Sequence, residues 1–286
     1  MIYFTTKAYN SEETIRRAIE SVLSQTYGDF RYHLCDNGST DGSSDIIAEY
    51  ARIDRRIVPF YNSKNMQWTK ESEKYIVNMA RCLDPNDYLT VLDADDDYEP
   101  TFLEKMLTFA QTHDLDFATC RSNHIQEPSG RNMNEVSLMN DIIISSTGFD
   151  RLFPEYFRFM GARWGKLQKG SLFRKINWGA FEKWLELLCL SHRHDTASML
   201  YYLQFSKKAG VLSKLLHNYH LYPVSHSTQN IQSKHRDNEK MPDVYREFLI
   251  KKVGLVSPEN ERFIKEVFIR SEKKTEEQGR LINGKT

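Results

Sequence analysis

"VLDADDDYEP", residues 91–100, sets Asp93, Asp95, Asp96 and Asp97 directly behind an apolar run that reads as the end of a buried strand. Carboxylates this close repel one another unless solvent or a cation takes up the charge. An exposed loop would leave them to water. A divalent cation relieves them better, because hard oxygen donors are what magnesium, manganese and calcium select. Whether the segment is a loop or a site depends on the fold that carries it.

Outward from the cluster, short apolar runs alternate with amphipathic ones. Residues 2–6, 30–35, 56–62, 87–93 and 114–120 read as strands. Between them, Ile15, Ala18, Ile19, Val22 and Leu23 form one helical stripe, and Ile46, Ile47 and Tyr50 mark a second. Residues 71–83 read as a third helix, and Phe102, Leu103, Met106, Leu107 and Phe109 mark a fourth after Pro100. Asn10 with Glu13, or Ser11, is placed to cap the first helix. Strands alternating with helices predict a mostly parallel sheet covered on both faces. Such sheets bind ligands beyond the carboxyl ends of their strands, and Thr6, Asp36 and Asp93 sit at those ends. Past residue 121 the periodicity loosens. Residues 148–205 read as helical pieces rich in aromatics, and a charged tail carries a narrow stripe of Phe263, Ile264, Val267 and Phe268.

The 286 residues carry 39 basic and 39 acidic side chains, so no global charge draws the chain to nucleic acid. Cys35, Cys82, Cys120 and Cys189 lie far apart with no CxxC pair, and three of them sit in apolar runs that predict buried thiols. "MIYFTTKAYN" lacks the apolar core of a signal peptide, and no eighteen apolar residues run together. The expectation is a soluble, cytoplasmic protein, with peripheral membrane contact left open.

Asp93, Asp95, Asp97 and Glu104 match positions 1, 3, 5 and 12 of a calcium-binding EF-hand. The match fails on mechanics: Tyr98 stands where the sharp turn needs glycine, and a strand precedes the loop instead of a helix. A different set of segments agrees: "AYNSEETIRRAIESVLSQTYGDF" (8–30), "CDNGSTDGS" (35–43), "VLDADDDYEP" (91–100), "WGKLQKGSLF" (164–173) and "HDTASMLYYL" (194–203). Together, in this order, they resemble the family 2 glycosyltransferases, inverting enzymes of the GT-A fold that use nucleotide-diphosphate sugars. The resemblance covers roughly residues 2–228.

The resemblance implies an α/β GT-A domain over residues 1–228, with 1–121 as its nucleotide-binding half and 122–228 as its acceptor half, then a helical C-terminal extension over 229–286. It implies that Asp93 and Asp95, flanking Ala94, form a D-x-D motif that holds Mn²⁺ or Mg²⁺ against the sugar diphosphate. Asp95 is the direct ligand, and Asp93 stands nearer the ribose or sugar. Asp96 and Asp97 are read either as solvated or as capping the next helix. Asp36 takes the position that accepts a hydrogen bond from the nucleobase, and Thr6, Ala8, Tyr9 and Glu12 line the nucleotide pocket. Asp195 falls on the catalytic base, Trp164 on the acceptor side, and His226 on a third metal contact. UDP-sugar is the favoured donor. The acceptor is a glycan, a lipid-linked sugar or a protein-linked glycan, and the C-terminal helices could pair two chains or touch a membrane.

The chain departs from the family pattern at Lys7, where proline is common, at Asn37, where a second aspartate is usual, and at His194, where glutamate is usual. Residues 62–78, "NSKNMQWTKESEKYIVN", lack the family's glycine and arginine, with Lys70 or Lys74 as substitutes. Two other classes compete with this one. A sugar-phosphate nucleotidyltransferase would need a glycine-rich loop that "TTKAYNSEE" does not offer. Asp93, Asp95 and Asp195 argue against a non-catalytic relative that serves as an assembly or binding partner, while the altered 63–78 segment keeps that alternative open.

Overall fold

Strand β1 (Ile2–Ala8) is central, and its neighbours were legible in the sequence. In the computed structural model, which describes residues 1–66, 70–133, 138–190, 193–223 and 231–268, helix α1 (Ile15–Leu23), β2 (Phe30–Asp36), α2 (Ser43–Ile53), β3 (Ile57–Tyr61), α3 (Lys70–Cys82) and β4 (Tyr88–Val91) follow in turn. The first four strands lie in the order β3-β2-β1-β4, all parallel. Ile15, Ala18, Ile19 and Val22 are the buried face of α1, the stripe the sequence predicts. Its expected cap differs. Thr14 holds the N-cap position without a side-chain cap bond; the Asn10 side chain accepts from the Thr40 N–H instead, and the Ser11 hydroxyl donates to the Tyr9 carbonyl.

The chain then makes β5 (Asp97–Tyr98), α4 (Phe102–Thr112), β6 (Phe117–Gln126), β7 (Arg131–Asn132), β8 (Ile142–Ser145), α5 (Gly148–Arg151), α6 (Phe153–Met160), β9 (Lys166–Lys169), α7 (Gly170–Phe173), α8 (Trp178–Leu188), α9 (His194–Leu203), β10 (Lys208–Leu221) and α10 (Ile231–Val253). The sheet continues past β4 as β9-β6-β10-β5. Strand β9 is antiparallel to both neighbours, β10 is parallel to β6, and the two residues of β5 run antiparallel to β10. Neither β9 nor β10 was expected. Strand β10 carries Lys214, His217, Asn218 and His220 among its apolar residues, which masks its strand pattern.

Phe4 anchors the core beneath the strand ends. Its ring lies 5.5 Å from Phe30, 5.8 Å from Tyr32 and 6.0 Å from Tyr98, and Tyr98 stacks on Phe102 at 3.7 Å. All five rings are buried, and full burial of one such side chain contributes on the order of 1.5–3 kcal/mol.

By its internal contacts the chain divides into two units that do not follow chain order. One holds residues 1–143, 163–176 and 208–221; the other holds 144–162, 177–207 and the described residues from 222 onward. The second unit is helical. Phe153 of α6 meets Tyr245 and Phe248 of α10 and Phe263 of the helical run 258–268, at ring separations of 5.9, 6.3 and 6.1 Å. Phe157 meets Phe263 at 4.9 Å. Residues of the expected helical C-terminal extension therefore share a core with α6, and Ile264 of the predicted stripe is buried. Cys35 and Cys120 are buried free thiols, while Cys82 and Cys189 are exposed ones. Among the described residues no helix is long and apolar enough to cross a membrane.

Candidate active site

The carboxyl ends of β1 and β2 are joined by side chains of the loops that leave them. Asn10, at a positive φ of 48°, accepts from the Thr40 N–H at 2.9 Å, and its own N–H donates to Ser39 Oγ at 3.0 Å. The Ser11 N–H donates to Ser43 Oγ at 2.8 Å. Glu12 accepts from the Gly42 N–H at 2.9 Å, and its N–H donates to Asp41 at 3.1 Å. Glu12 thus holds the 36–43 loop. Thr6 and Ala8 are fully buried, Thr6 accepting from the Tyr32 hydroxyl at 2.9 Å. At this end of β1 it is the Tyr9 ring, 43% exposed, that reaches the surface.

Asp36 is buried at the end of β2, where its carboxylate accepts from the Ser39 N–H at 3.3 and 3.4 Å. Bonds this long leave capacity for a stronger donor. Asn37 then ties down the segment after β3. Its Oδ1 accepts from Asn62 Nδ2 at 3.0 Å and from the Met66 N–H at 3.4 Å, and its Nδ2 donates to Asn65 Oδ1 at 2.9 Å. Beside it, Gly38 has φ +76°, and a Cβ there would lie 2.3 Å from the Lys64 carbonyl carbon. The departure at Asn37 and the altered segment after β3 are one feature. An amide donates and accepts in this clamp, whereas a carboxylate only accepts.

The acidic run makes a turn between β4 and β5, closed by the Asp96 N–H donating to the Asp93 carbonyl at 3.2 Å. Its aspartates divide by direction. Asp96 is completely buried: Oδ1 accepts from the His220 backbone N–H at 2.9 Å, and Oδ2 lies 3.3 Å from His217 Nε2, within ion-pair range but too poorly aimed to make a hydrogen bond. Burial pushes the Asp96 carboxyl well above the carboxylate range, and it pushes the buried His217 down to about 3, so that ring is neutral near pH 7. Asp97 accepts from Asn218 Nδ2 at 2.7 Å and meets His220 Nε2 at 2.7 Å. Neither residue is solvated, and neither caps α4, whose N-cap position is Thr101 without a side-chain cap bond.

Asp93 and Asp95 are half-buried. Burial pushes the Asp95 carboxyl up from its usual range, and its backbone N–H and the Arg17 charge only partly offset this. A carboxylate in that position gains from a nearby cation. Among the described residues no three His, Cys, Asp or Glu side chains converge as a ready-made metal cage. Two carboxylates suit the other arrangement, in which one or two protein oxygens share magnesium or manganese with a ligand's phosphates. His226 lies outside the described residues.

Trp164 stacks on His217 at 4.4 Å and 13°, and on Tyr219 at 5.3 Å and 23°. The next residue, Gly165, donates its N–H to the Tyr98 hydroxyl at 2.7 Å, and Lys166 is buried with Nζ 3.4 Å from the Trp164 carbonyl. These β10 side chains went unrecognised in the sequence. Strand alternation was the available signal: His217 and Tyr219 share one face and flank Trp164, while Asn218 and His220 share the other and meet Asp97.

Asp195 belongs to the second unit. It sits in the first turn of α9, which begins at His194 with Arg193 at the N-cap position and no capping side chain. Arg193 is fixed by Asn238, whose Oδ1 accepts from Nε at 3.2 Å and from a terminal guanidinium nitrogen at 3.0 Å.

The chain has relatives of known name. The sequence profile described as "Glycosyl transferase family 2" matches residues 5–170. The chain is similar to the glycosyltransferase GlyA of Streptococcus pneumoniae serotype 4, with 25% identity over 59% of this chain and 24% of GlyA. It is also similar to TuaG of Bacillus subtilis, a candidate teichuronic acid biosynthesis glycosyltransferase, with 29% identity over 41% of this chain and 45% of TuaG. The matches thus span less than half the length of these curated relatives. Among solved structures, S. aureus TarS 1–349 in complex with UDP-GlcNAc shares the fold, with a TM-score of 0.64 and 14% identity over 87% of this chain and 72% of that one.

Proposed function

The chain belongs to glycosyl transferase family 2, and from that premise we propose that it moves a sugar from a nucleotide-diphosphate sugar to an acceptor hydroxyl, with inversion at the anomeric carbon. The GT-A type of fold matches that activity. The observation that carries the proposal is the placement of Asp36 and of Asp93 and Asp95 at the carboxyl ends of the two parallel strands that flank β1. Ala8 pairs with Asp36 and Thr5 with Val91, so β1 separates the two acidic positions by one strand. One binds the nucleobase side of a donor and the other its diphosphate side.

UDP is the favoured nucleotide, supported by the TarS complex with UDP-GlcNAc. The acceptor is a growing glycan, lipid-linked or protein-linked, in polysaccharide or cell-wall assembly, which the name of TuaG supports. The work is done in the cytoplasm or at a membrane surface.

Asp95 and Asp93 would hold Mn²⁺ or Mg²⁺, and the bound ion would neutralise charge on the departing diphosphate. The rest falls to side chains. Asp36 accepts a hydrogen bond from the base, Tyr9 offers a ring at its edge, and Glu12 keeps the 36–43 loop in place. Asp195 takes the proton of the acceptor hydroxyl as it attacks, because an alcohol is a poor nucleophile at neutral pH.

The test is sugar transfer and hydrolysis of UDP-sugars with Mn²⁺ and with EDTA, alongside calorimetric UDP binding by the wild type and Asp95→Asn. Metal-dependent turnover is expected, with UDP binding sharply weakened in the variant. Equal UDP affinity with Mn²⁺ and with EDTA would refute the metal role. A chain that turned over no nucleotide sugar would refute the enzymatic one.

A further inference from the structure

The acidic turn is gripped from two sides. From α1, Arg17 donates to the Asp95 carbonyl, and Ser21 Oγ accepts from the Tyr98 N–H at 3.2 Å. From β10, the His220 backbone N–H donates to Asp96 at 2.9 Å, and the His220 ring meets Asp97 at 2.7 Å. Asp97 is where the two grips meet, since Arg17 Nε also lies 3.5 Å from the oxygen that faces His220. Its other oxygen accepts from Asn218 at 2.7 Å. With both oxygens engaged by protein groups, Asp97 serves as a tether for the turn and not as a ligand.

The tether continues outward. The second ring nitrogen of His220, Nδ1, lies 2.7 Å from Glu127 Oε1, one residue past the end of β6. A carboxylate only accepts, so each contact is a hydrogen bond where the facing ring nitrogen carries its proton. The result is a line of two short contacts, Glu127 to His220 and His220 to Asp97, leading from the rim of the sheet to the residue two places beyond Asp95. The ring is 8% exposed and the Glu127 side chain 23%.

We propose that Glu127 and His220 are positioning residues that fix the acidic turn, so that Asp93 and Asp95 present their carboxylates to a divalent cation. This rests on the metal-binding role proposed above. Groups that orient metal ligands from behind govern affinity even though they never touch the ion, and their removal costs roughly 10–100-fold in metal affinity. Glu127 isolates the effect because it lies at the rim and acts through His220, so its loss leaves the buried core intact.

The experiment is calorimetric titration of MnCl₂, in the presence of UDP, into the full chain as wild type, Glu127→Ala and Glu127→Gln, with thermal melting of each without metal. Glu127→Ala is expected to weaken Mn²⁺ by roughly tenfold or more with its melting temperature unchanged. Glu127→Gln, whose amide oxygen still accepts from Nδ1, is expected to recover most of the affinity. Wild-type Mn²⁺ affinity in Glu127→Ala would overturn the proposal, and so would a lowered melting temperature without loss of Mn²⁺ affinity. A wild type that bound no Mn²⁺ would overturn the proposal together with the metal role beneath it.

Discussion

Ala8 and Asp36 are register partners at the ends of β1 and β2, and the Asn37 N–H donates to the Ala8 carbonyl at 2.8 Å. That pairing holds the buried Asp36 carboxylate at the mouth between two strands, where its bonds to Ser39 are too long to use its full accepting capacity. Asp36→Ala is expected to weaken UDP binding by about 1–3 kcal/mol, the usual cost of leaving a buried donor without its acceptor. Isothermal titration measures this. An unchanged Kd would reduce Asp36 to a turn residue.

Gly38→Ala should be costly for two reasons. Its φ of +76° disfavours any side chain, and the new methyl would sit 2.3 Å from the Lys64 carbonyl carbon, which is backbone and cannot step aside. A loss of about 1–3 kcal/mol is expected for such a position, or about 2–4 °C in Tm per kcal/mol for a chain of this size. Thermal melting checks it. A variant as stable as wild type would show that the 62–66 segment is held loosely.

Asp195→Asn keeps the shape of the side chain and removes its basicity. Donor and metal binding should persist while sugar transfer falls by about 10²–10⁴-fold. Single-turnover transfer with a radiolabelled donor, set beside donor affinity, separates the two effects. Near wild-type transfer would shift the base to Glu182 or Glu186 in α8.

The pairing of Glu261 with Arg246 predicts a pH dependence of stability. Arg246 donates to the Glu261 carboxylate at 2.8 and 2.9 Å and holds its pKa down to about 2. The folded value lies below the unfolded value of about 4.3, so the stabilisation is full above that pH and fades as pH falls toward 2. The pair is partly exposed, which limits it to about 1 kcal/mol. Melting curves of wild type and Glu261→Gln should keep their gap from pH 7 to about pH 4.3 and converge as the pH falls from there toward 2. A constant gap would show that the pair contributes nothing through its charge.

The parallel half of the fold was legible because each part carried a local signal. Apolar runs ended at turn formers, and the stripe of α1 fell at helical spacing. Strand β10 gave a weaker signal, because His217, Asn218 and His220 turn toward the acidic run between β4 and β5 and break up its apolar pattern. The inward direction of Asp96 and Asp97 was hidden for the same reason. Carboxylates are expected in water unless a partner is visible, and His217 and His220 lie more than 120 residues away in the chain. Asn37 looked like a departure from a pattern, and only the position of residues 62–66 shows what the amide does.

The insertion of β10 between β6 and β5 has a consequence for synthesis. Asp96 and its backbone donor at His220 are separated by 124 residues, which at about 5–20 residues per second is a wait of roughly 6–25 s on the ribosome. Through that interval the parallel strands can pair while the acidic turn lacks its β10 contacts and the edge of β6 stays open. An open edge invites pairing with other chains. The nascent protein is thus most exposed to aggregation just before residues 208–221 emerge.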